Sequence, residues 1–188
     1  MKIYTGTGDQ GKTSLFSGER LKKNASRVSA YGTVDELSSL LGVVVSTLPQ
    51  FDGRQEIASS LQEIQGCLFK LGAILATSVE SADILLLEPF TGEQAVAGLE
   101  RRIDDMEAEL DELRFFILPG GHAAAAWTQL ARAVCRRAER EILSCIETEG
   151  VNQAEAVLVY INRLSDYLFV LARYLNKKTG TAETAWHG

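Results

Sequence analysis

The sequence predicts an all-α fold, a single bundle of five helices, on three observations. Apolar residues recur at helical spacing through five long stretches. The three prolines, Pro49, Pro89 and Pro119, fall at the breaks between those stretches. No alternation of strands and helices supplies the parts of a parallel sheet. With prolines and glycine clusters as punctuation, the helices fall at roughly 26–48, 53–79, 92–113, 121–149 and 152–177. At 188 residues the chain suits one domain that buries its core without staples. It divides into an N-terminal loop (1–25), the bundle (26–177) and a loose polar tail (178–188).

In the first helix Val34, Leu37, Leu41, Val44 and Leu48 form the core stripe, while Asp35, Ser38 and Gly42 share another face. Small residues there admit a second helix closely. Asp35 would then need a cation, because a buried unpaired carboxylate is costly; the alternative is an ordinary exposed carboxylate. Thr91 and Asn152 are the N-cap candidates of the third and fifth helices, and Gly150 is the C-cap candidate of the fourth.

The fourth helix collects Trp127, Val134, Ala138, Ile142 and Cys145 on a core stripe and stacks Arg132, Arg136 and Arg140 opposite. Like charges at this spacing repel by a few tenths of a kcal/mol per pair. Two readings remain: a solvated face balanced by Glu139 and Glu141, or a polyanion site, since guanidinium forks match phosphate oxygens. In the fifth helix Val157, Ile161, Leu164, Leu168, Leu171 and Leu175 form one stripe, and Leu158, Tyr160, Tyr167, Phe169, Val170 and Tyr174 spread over most of the rest. Such a helix is buried on two sides, either as the central helix or at a subunit interface. Its remaining polar strip, Asn162, Asp166 and Arg173 beside Phe169, reads as a site.

Between the third and fourth helices, Phe115 and Phe116 are adjacent aromatics that cannot both face one core, so one is covered by a partner or offered to a ligand. Gly120 and Gly121 before the helix make a candidate anion corner. His122 and His187 form no ligand pattern.

A net charge of −6 repels nucleic acid and anionic membrane, so any basic site is local. Three cysteines, Cys67, Cys135 and Cys145, lack metal or redox spacing and suit a reducing compartment. No apolar run approaches the ~18 residues of a membrane span, and no leader is expected before the N-terminal glycines. A cytoplasmic protein is expected.

Residues Gly6-Thr7-Gly8-Asp9-Gln10-Gly11-Lys12-Thr13 spell G-x-x-x-x-G-K-T. A P-loop needs a buried strand before the glycines and a helix from the Lys-Thr, so that backbone N–H groups and helix dipole cradle phosphate together. Here Met1–Thr5 is at best a short edge strand, and Gly18 interrupts the segment after Thr13. The composition favours anion binding; the flanks do not favour the P-loop fold.

The segments Tyr4–Thr13, Tyr31-Gly32-Thr33-Val34-Asp35-Glu36-Leu37, Phe116–Gly121, Arg136-Arg137-Ala138-Glu139-Arg140 and Ile161–Tyr167 together resemble the PduO-type ATP:cob(I)alamin adenosyltransferases, in the family's order and spacing over nearly the whole chain. The resemblance implies a transferase, a five-helix bundle assembled as a homotrimer with active sites between subunits. The reaction it implies moves the 5′-deoxyadenosyl group of ATP to the cobalt of reduced cob(I)alamin, releasing triphosphate. Co(I) is the nucleophile, so none is required from the protein.

By the same resemblance Thr5, Gly6, Thr7, Gly8, Asp9, Lys12, Thr13, Ser14 and Lys23 belong to the ATP-binding N-terminal segment. Arg136, Arg137, Ala138, Glu139, Arg140 and Asn162 form the helical part of the nucleotide site, with Arg136 on the triphosphate and Mg²⁺ bridging phosphate oxygens. Asp35 and Arg132 pair across subunits beside the corrinoid. Phe116 displaces its lower axial ligand, and Phe169 lines the same pocket. Family members commonly carry Lys or Arg at the position of Gly6, and the tail is short, which leaves Trp186 as its one candidate contact to the corrinoid. A corrinoid reductase and an adenosylcobalamin-dependent enzyme are the implied partners. The rival readings are a P-loop NTPase, with Ile84–Glu88 imitating a Walker B strand, and a non-catalytic helical scaffold.

Overall fold

A computed structural model describes residues 4, 6–84 and 92–187. Five α-helices carry the fold among them: α1 (Ser26–Thr47), α2 (Arg54–Leu75), α3 (Gly92–Glu107), α4 (Ala123–Glu149) and α5 (Ala154–Lys178). Two short antiparallel ribbons flank the bundle: β1 (Lys12–Ser14) pairs with β2 (Arg20–Lys22), and β3 (Ile117–Leu118) pairs with β4 (Thr184–Ala185). The Thr91 cap and the run Leu85–Glu88 lie outside the described residues.

Helix α1 packs on α4 and α2, and α5 packs on α4 and α3. The stripes meet in one core, where Leu37, Leu41, Ile142, Leu164, Leu168 and Leu171 are wholly buried; each such side chain contributes about 1.5–3 kcal/mol by leaving water. Helix α1 is long and apolar enough to cross a membrane by length and composition, contrary to the sequence expectation. Its buried positions nonetheless include Arg27 and repeat at helical spacing toward its neighbours.

The second apolar side of α5 is covered within the protomer. Tyr160, Tyr167, Val170 and Tyr174 are buried, the Tyr167 hydroxyl lies 3.1 Å from that of Ser60 on α2, and the Tyr174 ring meets Phe51 edge-on. So α5 is the central helix, and its burial needs no subunit partner. Trp127, expected in the core, is 39% exposed. The small residues Ala124, Ala125, Thr128 and Ala131 take the buried face of that end of α4 instead.

Helix ends differ from expectation where tertiary contacts terminate them. The Arg27 guanidinium takes the carbonyls of Leu75 (2.8 Å) and Thr77 (3.0 Å), so α2 stops there and a 3₁₀ stretch covers Val79–Ile84. Helix α3 ends at Glu107 because i→i+3 bonds from Glu109 to Met106 and from Leu110 to Glu107 tighten its exit. Asn152 is not a cap: Gln153, in the left-handed region at φ 56°, holds the N-cap position of α5 without a side-chain bond. Gly150 does close α4, at φ 72°, with its N–H on the Ile146 carbonyl at 3.1 Å.

Arg27 is 2% exposed and also bonds the Gly150 carbonyl (2.7 Å) and the Glu149 carboxylate (3.1 Å). Burial raises the Glu149 carboxyl, but hydrogen bonds from Ser26 and from the Arg27 backbone and guanidinium outweigh it and hold the carboxyl below its usual range. A carboxyl depressed in the folded state contributes stability above its unfolded pKa, and that stability is lost as pH falls through the folded value. The expected result is a denaturant midpoint unaffected by Glu149 titration near neutrality and falling below about pH 4.5, with a smaller fall in Glu149→Gln. An acid fall equal in both proteins would assign it to other carboxylates.

Candidate functional site

The glycine-rich motif forms a turn that leads into the β1–β2 hairpin. Gly6 and Gly11 stand in the left-handed region, at φ 71° and 73°; Asp9 N–H bonds the Gly6 carbonyl and Gly11 N–H that of Gly8. Lys12, Thr13 and Ser14 continue as an extended strand where a P-loop requires a helix start, which removes the P-loop NTPase reading. A Cβ at Gly8 would sit 3.4 Å from the Lys23 Nζ, so that ammonium lies against the turn. Arg20, absent from the sequence-derived set, donates to the Thr7 carbonyl at 2.7 Å and pins the loop. Its signal was the basic run Arg20, Lys22 and Lys23 after the turn. Thr5 lies outside the described residues.

The hairpin docks where α1 begins and α2 and α4 end. Phe16 N–H bonds the Ala76 carbonyl at 3.0 Å, and Glu19 accepts from Ser78 at 2.6 Å. Helix α4 then carries Arg140, Arg136 and Arg132 away from that end. Arg136 is roughly 20 Å along the axis from Glu149, at 1.5 Å per residue. No hydrogen bond or ion pair among the described residues joins residues 8–23 to this arginine run.

The arginines run along α4 beside α5, where Glu139 meets Asn162 and Arg132 meets Phe169. Asn162 donates to Glu139 at 3.0 Å, and the Arg132 guanidinium lies 5.9 Å from the centre of the Phe169 ring while its Nε donates to Gln129 at 2.9 Å. Burial first, then the like charge of Arg136, pull the Arg132 guanidinium below its ordinary pKa. A negative ligand there is therefore favoured. Arg140 folds back onto the Arg136 carbonyl at 2.8 Å, while Arg137 points to the other flank of α4 and pairs with Glu36 on α1. Ala138 faces the core. Asp166, one turn beyond Asn162 on α5, pairs with Arg163 at 2.7 Å. Arg173 lies away from the arginines; it is buried under the tail against Glu183.

Asp35 lies on a different face, in a groove of about 410 Å³ between α1 and α2 that includes Tyr31, Ser38 and the exposed rings of Phe16 and Phe69. It makes no ion pair among the described residues, and Arg132 opens instead toward α5. At Gly42 a Cβ would meet the Gln65 amide at 3.6 Å, an ordinary contact, so the close approach expected at this glycine does not depend on it; Gln65 donates to the Ser38 carbonyl at 2.9 Å.

At the opposite end of the bundle, Phe116 is 80% exposed beside a cavity of about 600 Å³ lined by Phe115, Trp186 and His187. The tail is docked, not loose. Trp186 N–H bonds the Phe116 carbonyl at 2.7 Å, the Trp186 and Phe116 rings meet edge-on at 6.5 Å, and His187 meets Phe115 likewise. The anion corner at Gly120–Gly121 is filled: Asn176 bonds His122 N–H and the Gly120 carbonyl, and a Cβ at Gly121 would lie 2.2 Å from its oxygen. His122 caps α4 through Nδ1. Burial pushes the Cys135 and Cys145 thiols up, so neither is a thiolate nucleophile at neutral pH.

The chain matches the family model for cobalamin adenosyltransferase over residues 3–175. It is 41% identical to the corrinoid adenosyltransferase of Bacillus subtilis over 186 residues, 99% of this chain and 92% of that protein. It is 41% identical to human corrinoid adenosyltransferase MMAB over 183 residues, 97% of this chain and 72% of that one. Among solved structures, a variant PduO-type ATP:corrinoid adenosyltransferase from Lactobacillus reuteri, complexed with cobalamin and ATP, superposes with a TM-score of 0.90 at 38% identity over the whole of both chains.

Proposed function

The chain belongs to the cobalamin adenosyltransferase family, and on that premise we propose how its own residues carry the reaction. The activity is ATP-dependent adenosylation of cobalamin. The cobalt of the reduced corrinoid attacks the ribose C5′, the Co–C bond forms, and the C5′–O bond breaks with its electron pair leaving on triphosphate. The protein's task is alignment, charge neutralisation and exclusion of water.

The α4–α5 contacts, Asn162 on Glu139 and Arg132 over Phe169, are the observation that supports the assignment of roles. Arg136 holds the triphosphate, with Arg140 beside it and Glu139 oriented by Asn162. Mg²⁺ enters on the phosphates of ATP; Glu139 is the carboxylate offered to its water shell, and among the described residues no cluster of three or more His, Cys, Asp or Glu forms a cage. The hairpin residues Gly6 to Ser14, with Lys23 and Lys12, close over the nucleotide. Phe116 and Phe169 face the corrinoid.

These parts require more than one copy of the chain. The hairpin and Phe116 stand at opposite ends of α4, whose 27 residues span about 40 Å, and Asp35 and Arg132 open on different faces. A homotrimer brings one copy's Asp35 to its neighbour's Arg132, which supplies the carboxylate with its cation and the crowded guanidinium with its anion. The three free cysteines agree with a cytoplasmic enzyme, fed by a corrinoid reductase and serving an adenosylcobalamin-dependent enzyme.

The test is spectral. Protein with ATP, Mg²⁺, cobalamin and reductant converts the cob(I)alamin spectrum to that of adenosylcobalamin and yields triphosphate; orthophosphate, or no conversion with folded protein and reduced cobalamin, rejects the reading. Phe116→Ala removes a ring whose burial against the corrin contributes about 2 kcal/mol, hence about 30-fold in the cob(II)alamin route. Turnover of prereduced cob(I)alamin should change far less. Equal losses on both routes would remove Phe116 from ligand displacement.

A further inference from the structure

We propose that Arg173 and Asn176, on the last turns of α5, are positioning residues for Phe116, holding the segment that carries it into β3 from both sides and from the tail. The inference rests on the role proposed for Phe116 in displacing the lower axial ligand. Phe116 and the β3 strand that follows it cannot fix themselves by burial: Phe116 is 80% exposed, Leu118 is 50% exposed, and β3 is two residues long. Its order comes from α5. Arg173 is 7% exposed; its Nη2 donates to the Asp111 carbonyl at 2.9 Å on the chain leading into the strand, and its Nε donates to the Glu183 carboxylate at 3.2 Å on the tail.

Asn176, 5% exposed, holds the far side. Its amide donates to the Gly120 carbonyl at 3.1 Å and its oxygen accepts from His122 N–H at 2.9 Å. Its backbone carbonyl also accepts from Thr181 N–H at 2.9 Å, at the start of the tail. Glu183 and Thr181 thereby bring β4 alongside β3, and Trp186 N–H reaches the Phe116 carbonyl. Gly121 completes the arrangement, because at φ 99° with Asn176 against it no side chain fits. One rigid helix therefore sets the entry, the exit and the paired edge of the segment that carries Phe116 into β3. A ring that must displace a metal ligand needs a backbone that does not retreat.

The test compares Asn176→Ala and Glu183→Gln with wild type and with Phe116→Ala, in full-length protein. We expect Asn176→Ala to lose at least about tenfold on the cob(II)alamin route, with prereduced cob(I)alamin turnover within about twofold and the ATP KM unchanged. Electron paramagnetic resonance of cob(II)alamin bound with ATP should show fewer centres without the lower axial base, a readout that general destabilisation does not move in folded protein. Glu183→Gln keeps the shape of the contact and drops its charge, so it carries the same test, with a smaller selective loss, if Asn176→Ala does not fold. Selective loss in Phe116→Ala with unselective or no loss in the clamp variants overturns the clamp alone. An unselective Phe116→Ala overturns the reading beneath it and the clamp with it.

Discussion

Arg136→Ala should lose about 10²–10³-fold in turnover, the range for removing one preorganised donor to a charge that develops in the transition state. Arg136 is exposed on α4 and makes no ion pair among the described residues, while the Arg140 guanidinium is turned back onto its carbonyl. Keeping the fork beside Arg132, itself pulled below its usual pKa, is unfavourable until an anion arrives. The leaving triphosphate gains negative charge as the C5′–O bond breaks, so the interaction strengthens along the reaction and kcat should suffer as well as KM. Arg136→Lys keeps the charge and loses the planar fork, so an intermediate loss of about tenfold is expected. Because Arg136 packs against little, the melting temperature without ligand should be unchanged, while the rise produced by saturating ATP should shrink. An undiminished ATP shift together with near-normal turnover would remove Arg136 from the triphosphate.

The bundle is legible in the sequence because helical burial leaves a period. Val34, Leu37, Leu41 and Val44 are buried as their spacing requires, as are Val157, Ile161, Leu164, Leu168, Leu171 and Leu175. Periodicity does not say which of two apolar stripes lies deeper, so it places Trp127 in a core that small residues fill. Helix ends are illegible wherever the terminator comes from elsewhere: Arg27 on the carbonyls that end α2, Asn176 in the corner before α4. Ribbons of two or three residues carry no alternation to detect, so the β1–β2 hairpin reads as a loop, and the docked tail depends on pairing between positions 117 and 185.

The site divides similarly. Arg132 meets Phe169 and Glu139 meets Asn162 between α4 and α5, as their shared faces suggest. Arg173 shares the α5 strip with Asn162, but its guanidinium turns to the tail instead. That Asp35 and Arg132 open on different faces, and that the nucleotide loop and Phe116 sit at opposite ends, comes from tertiary placement alone. Both facts underlie the proposal that the site is completed by a second copy.

Arg27→Ala should destabilise the protein by about 3–5 kcal/mol, the range for removing one partner of a buried charged network. The side chain is 2% exposed and satisfies the carbonyls of Leu75, Thr77 and Gly150 together with the Glu149 carboxylate. Truncation leaves those carbonyls without donors in space too confined for full hydration, at about 1–3 kcal/mol for each that stays dry. Glu149 is 30% exposed and can recover part of its hydration, which keeps the total from being a simple sum. For a chain of this size the loss corresponds to a fall in melting temperature on the order of 10 °C. Arg27→Lys should recover little, because one ammonium cannot span acceptors on α2, on α4 and beyond its end. The consequence reaches the nucleotide loop, since the hairpin closes through Lys23 N–H on the Gly11 carbonyl shortly before Arg27 and docks on the chain beyond α2. The variant should therefore show a raised KM for ATP even at temperatures where it is fully folded. A loss below about 1 kcal/mol, with an unchanged denaturant slope, would mean that water replaces the guanidinium and that the three helix ends hold one another by apolar packing alone.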